Sequence, residues 1–317
     1  MRLSHRVAFD IGSGSVKMQS AWIDESTWQI MEKTEGFYSW IPIRDYIDLH
    51  PQGEISRDVM EDIIQLILEA KRKAFLPKVS SAYIGAATEA FRIAKNGKEA
   101  LSYIKEKTGV ILRCLSQEEE ATLGRNALQV EGHIPPGKSF LSWENGGGSM
   151  QITGSGKKAG EVLFFNKKLG KIPFKNYVLQ RIQRKTCSIF ISPNPISQEE
   201  ALEAIAWLDR ELGSIPSWLI EELIAMQGEV IGFGAMFPIL RQQLGHDVFT
   251  KKEIWQLVQS QLGRSDIELS SGEDPTFQVL DPLFLYAVMD VVGIESVSYK
   301  KISGSTASLL VSSEKWS

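Results

Sequence analysis

At 317 residues the chain is long enough for two domains of ~150 residues each, and 43% hydrophobic residues suffice for a core in both. Lys plus Arg number 35 against 39 Asp plus Glu, a net charge of −4 that lacks the basic footprint of a nucleic-acid binder. The apolar run Leu283–Met289 falls far short of the ~20 residues of a bilayer span, and no N-terminal run suits a secretory signal, so a cytoplasmic protein without a membrane partner is expected.

In chain order, Val7–Gly12, Ser15–Ile23 and Trp28–Ile41 read as three extended segments. A helix is predicted over Ser56–Phe75, capped by Ser56, with Val59, Ile63, Leu66, Ile67 and Ala70 at three- and four-residue spacing. Ser81–Ala87 is a strand, Lys98–Lys107 a helix closed by Gly109, Val110–Leu115 a strand and Gln117–Val130 a helix. After a polar loop holding Pro135, Pro136 and Gly137 the pattern restarts with strands at Ser139–Glu144, Ser149–Thr153 and Glu161–Asn166. The remainder reads as helices over Phe174–Arg184, Gln198–Leu212, Trp218–Met226, Lys251–Leu262 and Leu280–Val292, with strands at Glu229–Gly234 and Ser296–Ile302. Three strands followed by alternating helix and strand, then a second strand trio followed mostly by helices, make an α/β chain of two domains, 1–132 and 133–317.

The restart carries an echo. Asp10-Ile11-Gly12-Ser13-Gly14-Ser15 and Glu144-Asn145-Gly146-Gly147-Gly148-Ser149 share acid, any, Gly, small, Gly, Ser, each between two strands. Such turns let backbone N–H groups approach an anion, with serine hydroxyls as further donors, and the acid can hold a hydrated Mg²⁺. One such loop alone is more simply a hairpin turn; two at matching places favour a polyphosphate gripped by both. No Gly-Lys-Ser/Thr ending follows, which separates these loops from a Walker loop.

Two further clusters carry chemistry. In Glu118-Glu119-Glu120, Ser116 and Glu119 suit a capping box, and Glu118 and Glu119 serve the helix dipole; Glu120, on the more apolar side, could orient a water. In Thr88-Glu89-Ala90-Phe91-Arg92, Arg92 lies past the carboxyl end of a strand, where α/β sheets bind ligands, although spacing alone allows a surface arginine equally well. Lys95, Lys98 and Arg125 extend a basic rim or simply face solvent. The cysteines, Cys114 and Cys187, form no CxxC pair, and none of the four histidines neighbours a nucleophile, so catalysis falls to carboxylates, glycines and basic residues.

At these residues the chain resembles the exopolyphosphatase and guanosine pentaphosphatase family, within the superfamily of sugar kinases, actin and heat-shock chaperones. Asp10–Ser15 is similar to its first phosphate loop, Asp-x-Gly-Ser-Asn-Ser, with Gly14 for Asn. Ala87–Gly97 resembles Ala-Thr-x-Ala-x-Arg-x-Ala-x-Asn-Gly, Ser116–Ala121 resembles Ser-Gly-x-Glu-Glu-Ala, and Glu144–Gln151 resembles Asp-x-Gly-Gly-Gly-Ser-Thr-Glu. Gln117 stands for a Gly, Glu144 for an Asp and Gln151 for a Glu, while Phe233, Ala235 and Met236 interrupt a Gly-Thr-Gly-Gly-Thr stretch.

The resemblance implies two actin-like (ribonuclease H-like) domains with a ligand cleft, and a metal-assisted phosphohydrolase acting on polyphosphate or guanosine pentaphosphate. On that basis Gly12, Ser13, Gly14, Ser15, Gly146, Gly147, Gly148 and Ser149 bind phosphate, Asp10 and Glu144 hold Mg²⁺, Glu120 is the base and Arg92 stabilises developing charge. The departures favour an alternative, a binding or regulatory protein with weakened turnover. A kinase of the superfamily is a third option, for which the sequence offers no acceptor site. A homodimer is compatible with all three.

Overall fold

The computed structural model describes residues 2–312 apart from 136, 159 and 271–273, so Pro136 of the expected boundary lies outside the described residues. The chain divides into two compact units, one formed by residues up to Lys138 together with those from Ile302 on, the other by Ser139–Lys301.

In the first unit, strands β1 (Leu3–Ile11), β2 (Ser15–Asp24), β3 (Gln29–Trp40), β4 (Ser81–Ala87) and β5 (Ile111–Cys114) form a sheet in the order β3-β2-β1-β4-β5. β1, β2 and β3 are an antiparallel meander, and β4 and β5 run parallel to β1. β1 is central, which is why Val7–Ile11 is an unbroken apolar-plus-Asp run: both of its faces are covered. Val7, Phe9 and Ile11 pack with the helices Arg57–Lys73 and Gly97–Thr108, and Ala8 faces a second layer.

In the second unit, β6 (Ser142–Asn145), β7 (Met150–Ser155), β8 (Val162–Lys167), β9 (Glu229–Gly234), β10 (Val248–Thr250) and β11 (Ser296–Tyr299) take the order β10-β11-β9-β6-β7-β8. Read from the other edge, β8-β7-β6-β9-β11 repeats β3-β2-β1-β4-β5 in order and in direction, with β10 added antiparallel at the edge. These are two actin-like, ribonuclease H-like domains, the fold that the family resemblance implies. The apolar helix Leu280–Val292 is long and hydrophobic because it lies inside this unit's core, where Leu283, Phe284, Leu285, Ala287, Val288 and Met289 are fully buried.

The second domain as read from sequence, 133–317, does not hold for its end. The helix Ser305–Val311 returns to the first unit, where Leu309 and Leu310 fill the space left by the small side chains of Ala8, Ala21 and Ala86. Arg6 Nη1 donates to Leu310 O at 3.3 Å, and Ser308 Oγ donates to Leu123 O at 2.6 Å. This helix gives no sign in the sequence because it is short and almost wholly apolar or small. The helices Ile43–Leu49, Glu89–Ile93 and Phe237–Leu244 and the strand β10 are likewise too short to set a period.

Leu310→Ala should cost the first unit about 2–5 kcal/mol through an unfilled core site. Amide hydrogen exchange should accelerate in β1 and β4 and stay unchanged in β6 and β9; equal acceleration in both sheets would contradict the assignment of the returning helix.

Candidate functional site

β1 ends by placing Asp10 at the edge of its turn. The turn is closed by Gly12 N–H donating to Ser15 O at 2.9 Å, and across it Asp10 pairs in register with Lys17, whose Nζ lies 3.6 Å from Oδ2. The carbonyls of the turn are held from outside: Arg44 N–H donates to Ser13 O at 2.9 Å and Ile41 N–H to Gly14 O at 3.1 Å. The amides of Ser13 and Gly14 are left without an acceptor among the described residues.

The second turn repeats the closing bond of the first and the capture of its second carbonyl, and differs in the other carbonyl held. Gly146 N–H donates to Ser149 O at 2.9 Å, and Glu144 faces Gln151 in register as Asp10 faces Lys17. Ile172 N–H donates to Gly147 O at 2.8 Å and Lys171 N–H to Gly146 O at 3.2 Å, from the start of the helix Lys171–Tyr177. The amides of Gly147 and Gly148 have no acceptor among the described residues. Gln151 Nε2 donates to Ser149 Oγ at 2.9 Å, so that hydroxyl keeps its own proton to give. Gly170 must be glycine: a Cβ there would lie 2.7 Å from Gly148 C and Ser149 N.

Of the eight residues expected to bind phosphate, Gly12 and Gly146 therefore spend their amides on closing the turns. Ser13 spends its hydroxyl as well, donating to Glu89 Oε2 at 2.6 Å in the interior. The amides of the middle two residues of each turn are the donors on offer.

Glu120 follows Ser116, whose capping box with Glu119 starts the helix Gln117–Val130 as the sequence suggests. Glu118 is exposed, and Glu120 is mostly buried, its Oε2 2.8 Å from Arg92 Nη2. Arg92 sits on the short helix Glu89–Ile93 beyond β4 and is fixed by Nη1 donating to Leu115 O at 2.8 Å. Burial raises the Glu120 carboxyl to about 7; Arg92 opposes this, and the charges of Asp10 and Glu89 reinforce it. Desolvation outweighs a direct ion pair, which is unusual enough to mark the group.

Glu89 and Arg44 are the residues that sequence reasoning passed over. Glu89 is 3% exposed and links Ser13 to the Arg44 guanidinium, which also donates from Nε to Asp48 at 2.9 Å. Glu89 stands inside a block already singled out, whereas Arg44 was hidden because the helix carrying it was not visible. Arg125, expected on a basic rim or simply facing solvent, is buried. Among the described residues no group of three or more His, Cys, Asp or Glu is arranged to hold a metal. Asp10 fits a hydrated cation as a single carboxylate at the end of a strand, the mode in which Mg²⁺ keeps most of its waters.

Residues 41–181 match the model of the Ppx/GppA phosphatase family, so the family resemblance of the sequence holds. That span includes the three later blocks and excludes the first turn. No curated protein sequence matches the chain. Among solved structures, the Ppx/GppA enzyme of Aquifex aeolicus is 19% identical, with a TM-score of 0.70 over 98% of this chain and 99% of that one. An exopolyphosphatase from Cytophaga hutchinsonii is 16% identical, with a TM-score of 0.72 over 97% and 98%. At these identities the likeness is one of fold.

Two outcomes follow from the geometry. Because Glu120 holds its proton to about pH 7 when folded and only to about 4.5 otherwise, the native state binds more protons in that window, and stability falls as pH rises through it. Glu120→Gln should flatten that fall in urea titrations from pH 4 to 8, leaving the smaller decline between 3.8 and about 6 that belongs to buried Asp281; an unaltered slope would show that Glu120 titrates normally. Gly170→Ala should destabilise the second unit by about 1–3 kcal/mol, with faster amide exchange at Gly146 and Ile172, whose N–H groups are bonded to Ser149 O and Gly147 O. Unchanged exchange there would mean that the turn does not lean on Gly170.

Proposed function

We propose that this chain, whose residues 41–181 match the Ppx/GppA phosphatase family, is a phosphohydrolase that releases terminal phosphate from inorganic polyphosphate or guanosine pentaphosphate. The observation that carries this reading is the Glu120 carboxyl, raised to about 7 beside Arg92 in the unit whose first turn leaves two amides free. A base with that value is half ionised at neutral pH, near the optimum for accepting a proton.

The amides of Ser13 and Gly14, and those of Gly147 and Gly148 with the Ser149 hydroxyl, take phosphoryl oxygens. Ser15 borders the first turn, and Gly12 and Gly146 shape the two. Water attacks the terminal phosphorus, its proton passes to Glu120, and the bridging P–O bond breaks with its electrons left on the departing phosphate. Arg92 offsets the charge that develops on the transferring group. Mg²⁺ would supply charge neutralisation when bound, with Asp10 at the first turn and Glu144 at the second as the carboxylates to hold its waters. The name of the Cytophaga hutchinsonii protein supports polyphosphate as the substrate.

A second reading is a phosphate-binding protein without turnover. It is favoured by Gln151, a neutral amide engaged with Ser149 where the resembling motif carries a Glu.

Phosphate release should be measured from polyphosphate and from guanosine pentaphosphate, each with Mg²⁺ and with chelator. Glu120→Gln is expected to lower release ~10²–10⁴-fold while tripolyphosphate still binds, and wild-type release should rise with pH through about 7 as Glu120 loses its proton. Binding without Mg²⁺-dependent release would establish the second reading instead, and release undiminished in Glu120→Gln would remove Glu120 from the chemistry.

A further inference from the structure

The two turns share a backbone but differ in what surrounds them. Beside the first, Glu89 accepts the Ser13 hydroxyl proton on one carboxylate oxygen and pairs with the Arg44 guanidinium on the other. A serine hydroxyl has one proton to give, so Ser13 has none left for a ligand. Arg44 is further committed to Asp48 at 2.9 Å, Lys17 lies 3.6 Å from Asp10, and Arg92 lies 2.8 Å from Glu120. Three cations thus face four acids, each cation beside at least one of them.

Among the described residues the second turn lacks this serine–acid–arginine link, its nearest ion pair being Lys171 with Asp281 at 2.7 Å. The residue matching Ser13 is Gly147, which has no side chain, and the residue whose N–H meets its carbonyl is Ile172, which carries no charge. Its serine, Ser149, accepts from Gln151, which leaves its own proton to give. Ser15 and Ser149 match, so the turns differ in the carboxylate of Glu89, which joins Asp10 and Glu120 beside the first turn and claims the Ser13 hydroxyl there. Carboxylates beside a turn repel a bare phosphate oxygen, and a divalent ion carried on that phosphate reverses the sign.

We propose that Glu89 is a specificity-determining residue: by taking the Ser13 hydroxyl proton and the Arg44 guanidinium, it makes the first turn accept a phosphoryl group only as its divalent-cation complex. The proposal rests on the reading of both turns as phosphate sites, and assigns to Glu89 the metal dependence of one of them. The residue is a positioning and charge-setting group, since it reaches the ligand through Ser13 and Arg44.

Isothermal titration with tripolyphosphate, in Mg²⁺ and in chelator, tests it without any turnover. Wild type should bind the Mg²⁺ complex at least tenfold more tightly than the free anion. Glu89→Gln, and Glu89→Ala as a second variant of different bulk, should bind the free anion roughly tenfold more tightly than wild type, the effect of releasing a charged donor. Adding Arg44→Gln to Glu89→Gln should cancel that gain. Equal wild-type affinity with and without Mg²⁺, or no gain in either Glu89 variant while wild type binds the Mg²⁺ complex, overturns the proposal and leaves the phosphate reading intact. Absence of binding by wild type under both conditions defeats the phosphate reading and this proposal with it.

Discussion

A single backbone hydrogen bond, from the first glycine of each turn to the serine three residues on, decides what the rest of each domain can present. By closing at Gly12–Ser15 and again at Gly146–Ser149, each at 2.9 Å, it turns the next strand back along its neighbour and exposes the amides of the two residues inside. The acid that ends the preceding strand is thereby set at the rim, with Lys17 opposite Asp10 and Gln151 opposite Glu144. The carbonyls of the turn would otherwise face any incoming anion; in both copies they are taken up by N–H groups at or just ahead of a short helix. Donors are left outward and acceptors satisfied inward.

Around that frame lie buried acids whose ionisation is set by desolvation. Glu120 shows that an ion pair does not guarantee an ionised acid: the cost of taking its carboxylate out of water exceeds what Arg92 returns at 2.8 Å, and the nearby Asp10 and Glu89 tip the balance further. The second domain repeats the lesson structurally. Asp281, fully buried on the central helix, is pushed up to about 6 although Lys171 Nζ is 2.7 Å away. Lys171 begins the helix that holds the second turn, and its ammonium also lies over the Phe277 ring at 3.8 Å. The second turn is thus tied through one lysine to the core of its domain.

The duplicated architecture was legible because each domain opens with three strands joined by tight turns, and the glycine pattern of those turns must recur wherever the backbone makes the same closure. Glu120 and Arg92 were legible as candidates for a related reason: one lies in the first turn of a capped helix and the other just past a strand, places fixed by local rules. Their mutual contact was not, since β4 and the helix Gln117–Val130 are joined only by the folding of the sheet. Glu89 and Arg44 belong to short helices with no period to detect, so the acid that claims the Ser13 hydroxyl could not be foreseen.

By itself, the sequence determined the local closures: strand, glycine turn, strand, capped helix, each governed by residues within a few positions of one another, and with them the doubled α/β plan. Only the tertiary structure decided which donors those closures leave free, that the last helix returns to the first sheet to cover its alanine face, and that Glu120 keeps its proton to about 7. The reason is physical. Hydrogen-bond closure of a turn is a short-range matter, whereas desolvation and charge pairing depend on groups that meet only when distant segments pack.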